Sequence, residues 1–192
     1  MKIKVYILDI RNINEEALLS SQYVKDSFET YKDDETRKEK IASSILKNKY
    51  IGQYHLNEYG KPISEEKCFN ISHSHGLVVL VIDTVDVGID VEQIRPVDEK
   101  LKAYISNKEE KEYIKDDETF FEIWTNKEAL VKAKGIGIKE KVKDIPSLPI
   151  NGVRLYKNEQ YINQTIRYLD YIITVSRKAL DAPELEIEKV EI

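Results

Sequence analysis

Asp90 and Glu92 stand two residues apart in the segment Val87-Gly88-Ile89-Asp90-Val91-Glu92. If that segment is a strand, alternation sends both carboxylates to one face. Two ionised carboxylates side by side repel each other, and a cation between them removes that cost. Magnesium suits such a site, because it takes oxygen ligands, keeps several waters and accepts phosphate oxygens from a substrate. The competing reading of so short a motif is a solvated strand face.

Glu128 and Lys132 are four apart in Trp124-Thr125-Asn126-Lys127-Glu128-Ala129-Leu130-Val131-Lys132, so on a helix they share a face with Trp124. They read either as an exposed ion pair or as groups at a cleft. The apolar remainder of that helix (Phe120, Phe121, Ile123, Leu130, Val131) places some of the charges of Lys127, Glu128 and Lys132 near a cleft. Ser72 and His73 offer a hydroxyl, an imidazole and backbone N–H groups that suit a phosphate. Neighbours on an extended segment point apart, which argues against a direct nucleophile–base couple between them. Zinc on His73 and His75 lacks a clear third ligand, and His55 reads as a surface histidine. The chain has no G-x-x-x-x-G-K-[ST] or G-x-G-x-x-G loop, so any bound phosphate falls to lysines and a metal.

The elements that must position these groups read as blocks. Residues 3–8 form an opening strand, and residues 12–50 hold two helices, the second rich in lysine. Tyr59-Gly60-Lys61-Pro62 is a turn. Leu77–Ile82 is an apolar run of strand length, expected to be buried on both faces and to pair as an antiparallel hairpin with residues 87–92. Helices follow over residues 98–134, with a break near Asp116-Asp117 and a stop at Gly135 and Gly137. Strands are expected at 153–156, 164–168 and 171–175. Such blocks indicate an α+β class of two similar halves, residues 1–95 and 96–192.

Composition narrows the function. The 192 residues are 41% hydrophobic, enough for one sizeable core, and 34% charged with a net charge of −5, which leaves no basic nucleic-acid footprint. Cys68 is the only cysteine, so an internal disulfide and a cysteine-rich metal site are excluded, and it reads as a buried, inert thiol. No signal-peptide pattern and no run of about 18 apolar residues occurs, so the expectation is a soluble, cytoplasmic protein without a membrane partner.

Four segments in order resemble the surfactin-synthetase-activating type of 4′-phosphopantetheinyl transferase. They are Gly60-Lys61-Pro62, Phe69-Asn70-Ile71-Ser72-His73-Ser74, Val87–Glu92, and Trp124–Ala129 with Lys132 and Gly135, covering roughly residues 55–140. The resemblance implies two α+β halves about a pseudo-twofold axis, with coenzyme A and magnesium in the cleft between them. It implies Asp90, Glu92 and Glu128 as metal carboxylates, and Lys127 and Lys132 as lysines near the pyrophosphate. Ser72 and His73 match residues holding coenzyme A phosphates, and Lys61 and Pro62 lie along the adenine side. Arg37 matches an arginine reaching the 3′-phosphate, and Glu109 a glutamate proposed as base, with a metal-bound water as the other option.

The expected reaction moves phosphopantetheine from coenzyme A to a serine of an acyl, peptidyl or polyketide carrier protein and releases 3′,5′-ADP. Lys132 would neutralise the leaving group. The rivals are an inactive relative that binds coenzyme A or a carrier, and another magnesium enzyme acting on a sugar nucleotide. Two fused halves suggest a monomer.

Overall fold

A computed structural model describes residues 2–25, 27–28, 30–137, 141–178 and 184–192. The chain begins with strand β1 (Lys2–Asp9), the short helix α1 (Glu15–Leu19) and the long helix α2 (Asp34–Tyr50). Asp33 caps α2 by accepting the Thr36 N–H. A two-residue ladder of β2 (His55–Leu56) and β3 (Pro62–Ile63) closes the turn at Gly60, whose φ of 79° glycine adopts without strain.

Strands β4 (Cys68–Ser74) and β5 (Leu77–Asp83) form a hairpin, and β5 also pairs antiparallel with β1. The turn residues His75 and Gly76 both have positive φ, 45° and 78°, a turn whose twist matches that of the flanking strands. Val78 and Leu80 of β5 pack toward α2, whereas Leu77, Val79 and Val81 pack the other way, so the strand is buried on both faces as its apolar run indicates.

Strand β6 (Val87–Gln93) follows, and here the expected hairpin is corrected. β6 does not pair with β5. It crosses to a second sheet and pairs antiparallel with β9 (Tyr171–Arg177), in the order β6, β9, β8 (Glu159–Tyr168), β7 (Gly152–Tyr156). Turn chemistry at His75-Gly76 already gives β5 its hairpin partner on one side, and β1 fills the other. The first sheet is completed by β10 (Glu184–Lys189), parallel to β1, giving the order β10, β1, β5, β4. The two hydrogen-bonded sheets thus do not follow a boundary at residue 95.

Among the described residues, three α-helices and one 3-10 turn (Val142–Asp144) lie between β6 and β7, the α-helices being α3 (Glu99–Ile105), α4 (Lys108–Tyr113) and α5 (Asp117–Lys134). Asn107 and Glu110 form a reciprocal capping box for α4, and Asp116 and Thr119 do so for α5. Gly135, left-handed at φ 73°, ends α5.

The layers run helix, sheet, sheet, helix. Tyr6, Leu8, Val78 and Leu80 meet Ile41, Ala42, Ile45 and Leu46 of α2. Between the sheets, Ile3, Val5, Ile7 and Val79 meet Val87, Ile89, Val91 and Ile173. The odd residues of β6 enter that apolar interface, and its even residues, Gly88, Asp90 and Glu92, face α5. A Cβ at Gly88 would lie 2.2 Å from the Ala129 carbonyl oxygen and 2.3 Å from the Ala133 nitrogen. That absence of a side chain lets α5 lie directly on β6.

Candidate active site

Close approach of α5 brings Lys132 to β6. Its Nζ lies 2.5 Å from Asp90 Oδ1 and 3.0 Å from the Ser72 hydroxyl, which itself donates to Asp90 Oδ1 at 3.0 Å. Asp90 is 4% exposed, and its Oδ2 is buried with no hydrogen-bond partner among the described residues. Burial raises the Asp90 carboxyl above its ordinary value against the pull of Lys132, and the nearby Glu92 adds to the rise. Burial, then the Asp90 carboxylate, raise Glu128 likewise, with Glu92 contributing and Lys132 opposing. Asp90, Glu92 and Glu128 therefore share one electrostatic neighbourhood.

Glu92 is held from three sides. Ser74 Oγ donates to Oε2 at 2.9 Å, Arg95 Nη1 to Oε2 at 3.3 Å and Trp124 Nε1 to Oε1 at 3.3 Å. These contacts form part of a seam between β4 and β6, strands of different sheets. In it, the Ile89 N–H donates to Asn70 Oδ1 at 3.0 Å, Ser72 reaches Asp90, and Ser74 reaches Glu92. Asn70 and Ser74 were not singled out from sequence, although the even spacing of 70, 72 and 74 on one strand face is the signal that could have found them.

Beside this group opens a cavity of about 540 Å³ lined by Lys40, Lys47, Lys61, Lys132, His73 and Glu128, with Tyr31, Tyr59, Gly60 and Pro62 among its other walls. Four lysines against one carboxylate make it a place for an anion. Lys61 also ties the β2–β3 turn to the end of α5, donating to the Ala133 carbonyl at 3.0 Å, and burial lowers its ammonium from the usual value. Pro62 follows at the rim. His73 Nδ1 lies 2.7 Å from Glu39 Oε2, and its Nε2 lies 3.0 Å from Lys40 Nζ.

Three residues expected in the site lie elsewhere. Lys127 is 1% exposed, paired at 2.7 Å with the equally buried Glu110, and donates to the Val142 and Ile145 carbonyls. It locks α5 to α4 and to the following segment, away from the cavity. Arg37 bridges Glu15 at 2.8 Å and Asp34 at 2.6 Å and donates to the Tyr31 carbonyl, so it joins α1 to α2, while the cavity wall carries Lys40 and Lys47 instead. Glu109 is exposed on the first turn of α4 and makes no hydrogen bond or ion pair among the described residues. Its neighbour Glu110 is the structural partner of Lys127.

The donor chemistry fits a hard cation at Asp90 and Glu128: one orphaned buried oxygen and two mutually repelling carboxylates. Among the described residues, no three His, Cys, Asp or Glu side chains already converge as a closed metal cage. The cause is visible, since Lys132 covers one Asp90 oxygen and Ser74, Arg95 and Trp124 hold Glu92 back. Magnesium needs few protein ligands, so two carboxylates and waters satisfy its chemistry.

Residues 86–176, which carry Asp90, Glu92, Glu128 and Lys132, match the 4′-phosphopantetheinyl transferase superfamily. The 4′-phosphopantetheinyl transferase gsp of Aneurinibacillus migulanus is 32% identical over 145 residues, 67% of this chain and 56% of the relative. Sfp, the 4′-phosphopantetheinyl transferase of Bacillus subtilis strain 168, is 33% identical over 119 residues, 56% of this chain and 50% of the relative. HetI of Nostoc sp., also a 4′-phosphopantetheinyl transferase, is 33% identical over 119 residues, 51% of this chain and 50% of the relative. Over these residues the chain is thus similar to 4′-phosphopantetheinyl transferases, and it spans about half the length of the curated relatives it matches.

Proposed function

We propose that this chain is a cytoplasmic, magnesium-dependent 4′-phosphopantetheinyl transferase acting on coenzyme A and a carrier-protein serine. The observation that carries this reading is the cationic cavity opening directly beside the buried Asp90 and its half-buried partner Lys132. A nucleotide with several phosphates suits the lysines, and the reacting pyrophosphate would sit where cavity and carboxylates meet. The recurring order of strand, helices and hairpin, β1–α2–β4–β5 and β6–α5–β8–β9, supports two halves about a pseudo-twofold axis with the cleft between them, divided before β6 at Val87 rather than between residues 95 and 96.

Asp90 and Glu128 would hold the magnesium ion, with Glu92 joining once released from Ser74, Arg95 and Trp124. A bound ion would neutralise charge on the pyrophosphate. Lys132, hinged at the end of α5, would leave Asp90 for the oxygen of the departing 3′,5′-ADP. Ser72 and His73 would hold phosphate, with Lys61 and Pro62 along the adenine. The serine proton would go to Glu109, which is exposed on α4 here, or to a water held by the bound ion. Roles for Lys127 and Arg37 would require both to leave their present ion pairs.

Calorimetric titration with coenzyme A and with a uridine-diphosphate sugar separates this reading from that of another magnesium transferase. Binding of coenzyme A alone is expected. Binding of the sugar nucleotide alone would replace it.

A further inference from the structure

Glu39 lies on α2 behind His73, on the side away from the cavity, and is 6% exposed. Each of its oxygens has one partner: Oε2 meets His73 Nδ1 at 2.7 Å, and Oε1 accepts the Gly76 N–H at 3.0 Å. Burial alone would raise this carboxyl, but the His73 and Gly76 bonds outweigh it and hold it below its ordinary value. A carboxylate accepts only, so the imidazole proton between them belongs on Nδ1. That leaves the Nε2 lone pair facing the cavity, where Lys40 Nζ lies 3.0 Å away. Lys47, also on α2, His75 in the adjoining turn, and Arg11, whose side chain packs on Gly76, complete the charged surroundings.

We infer that Glu39 is a positioning residue: it fixes the ring angle and tautomer of His73, so that Nε2 and Lys40 Nζ present one paired grip to a phosphate entering the cavity. A phosphate arriving with one proton replaces the lone pair as the partner of Lys40 and donates its remaining O–H to Nε2, with Glu39 behind the ring holding the imidazole in that pose. Binding of the Gly76 N–H anchors Glu39 to the β4–β5 turn, so helix and hairpin hold the ring together. The inference concerns Glu39 itself, and only its phosphate arm rests on the function proposed above.

Two measurements on the full chain test it. In a nitrogen-15 spectrum of the histidine rings, assigned by the loss of signals in His73→Ala, His73 should show a protonated Nδ1 and a bare Nε2. A bare Nδ1 in the free protein would overturn the inference. Coenzyme A affinity is then titrated for the wild type, Glu39→Gln, His73→Ala and the double variant. Glu39→Gln keeps the size and one acceptor but loses the charge, and should weaken binding on the order of tenfold. That loss should vanish in the His73→Ala background, because Glu39 acts through the ring. An equal loss in both backgrounds, or none in either, would overturn it. Should the wild type bind no coenzyme A, the functional reading falls, and the ring spectrum alone decides the role of Glu39.

Discussion

The ammonium of Lys132 lies 2.5 Å from Oδ1 of Asp90, while Oδ2 of the same carboxylate is buried and meets no partner among the described residues. The lysine thus serves as the counter-charge of a carboxylate that has one oxygen still to satisfy. A second cation at Oδ2 would free Lys132 to turn toward an anion in the cavity that it also lines.

Asp90→Asn keeps the shape and removes the charge. Transfer activity should fall at least about a hundredfold, with the circular-dichroism spectrum unchanged. Full activity in the folded variant would remove Asp90 from the cation site.

Lys127→Met separates a structural role from a binding role. Removing one partner of a buried pair leaves Glu110 without its ammonium counter-charge, which costs about 3–5 kcal/mol. Denaturant unfolding should show that loss, while the folded fraction keeps its KM for coenzyme A. A raised KM with unchanged stability would instead put Lys127 on the pyrophosphate.

Gly88→Ala tests the contact that brings α5 to β6. The new methyl would meet the backbone of Ala129, Lys132 and Ala133, all within 2.9 Å. The helix must lift, so a stability loss above about 3 kcal/mol is expected, together with loss of activity as Lys132 leaves Asp90. Thermal unfolding and an activity assay read both, and a wild-type melting temperature would contradict the packing described.

Glu39 makes a pH prediction with a definite sign. Its folded carboxyl titrates below its unfolded value. As pH falls from about 5 toward about 3, the unfolded chain takes up that proton first, so the native state loses stability. Above that window the contribution is fully present. The melting-temperature gap between the wild type and Glu39→Gln should therefore narrow on acidification. A gap that stays constant or widens would contradict the depressed value.

Much of the scaffold was legible because its signals are local. Asp90 and Glu92 fall on one face by strand alternation, Gly135 ends a helix by its backbone freedom, and the apolar run at Leu77–Ile82 marks a doubly buried strand. Strand β10 left a readable trace in the alternation of Leu185 and Ile187 between glutamates, and was missed. Helical period also separates Lys127 from the site, since five residues before Lys132 lies about 140° around the helix, whereas Glu128 lies about 40° away. Pairings between distant segments left no such trace. Ser72 with Asp90, Glu39 with His73, and β6 with β9 are set by how layers stack, and a strand's sequence does not name its partner.

The most direct test of the central claim is a mass spectrum of an apo carrier protein incubated with this chain, coenzyme A and magnesium. The account predicts a gain of one phosphopantetheine mass that disappears when EDTA is added. No gain across several unrelated carriers, with coenzyme A still bound, would contradict it and mark the chain as a binding relative without transferase activity.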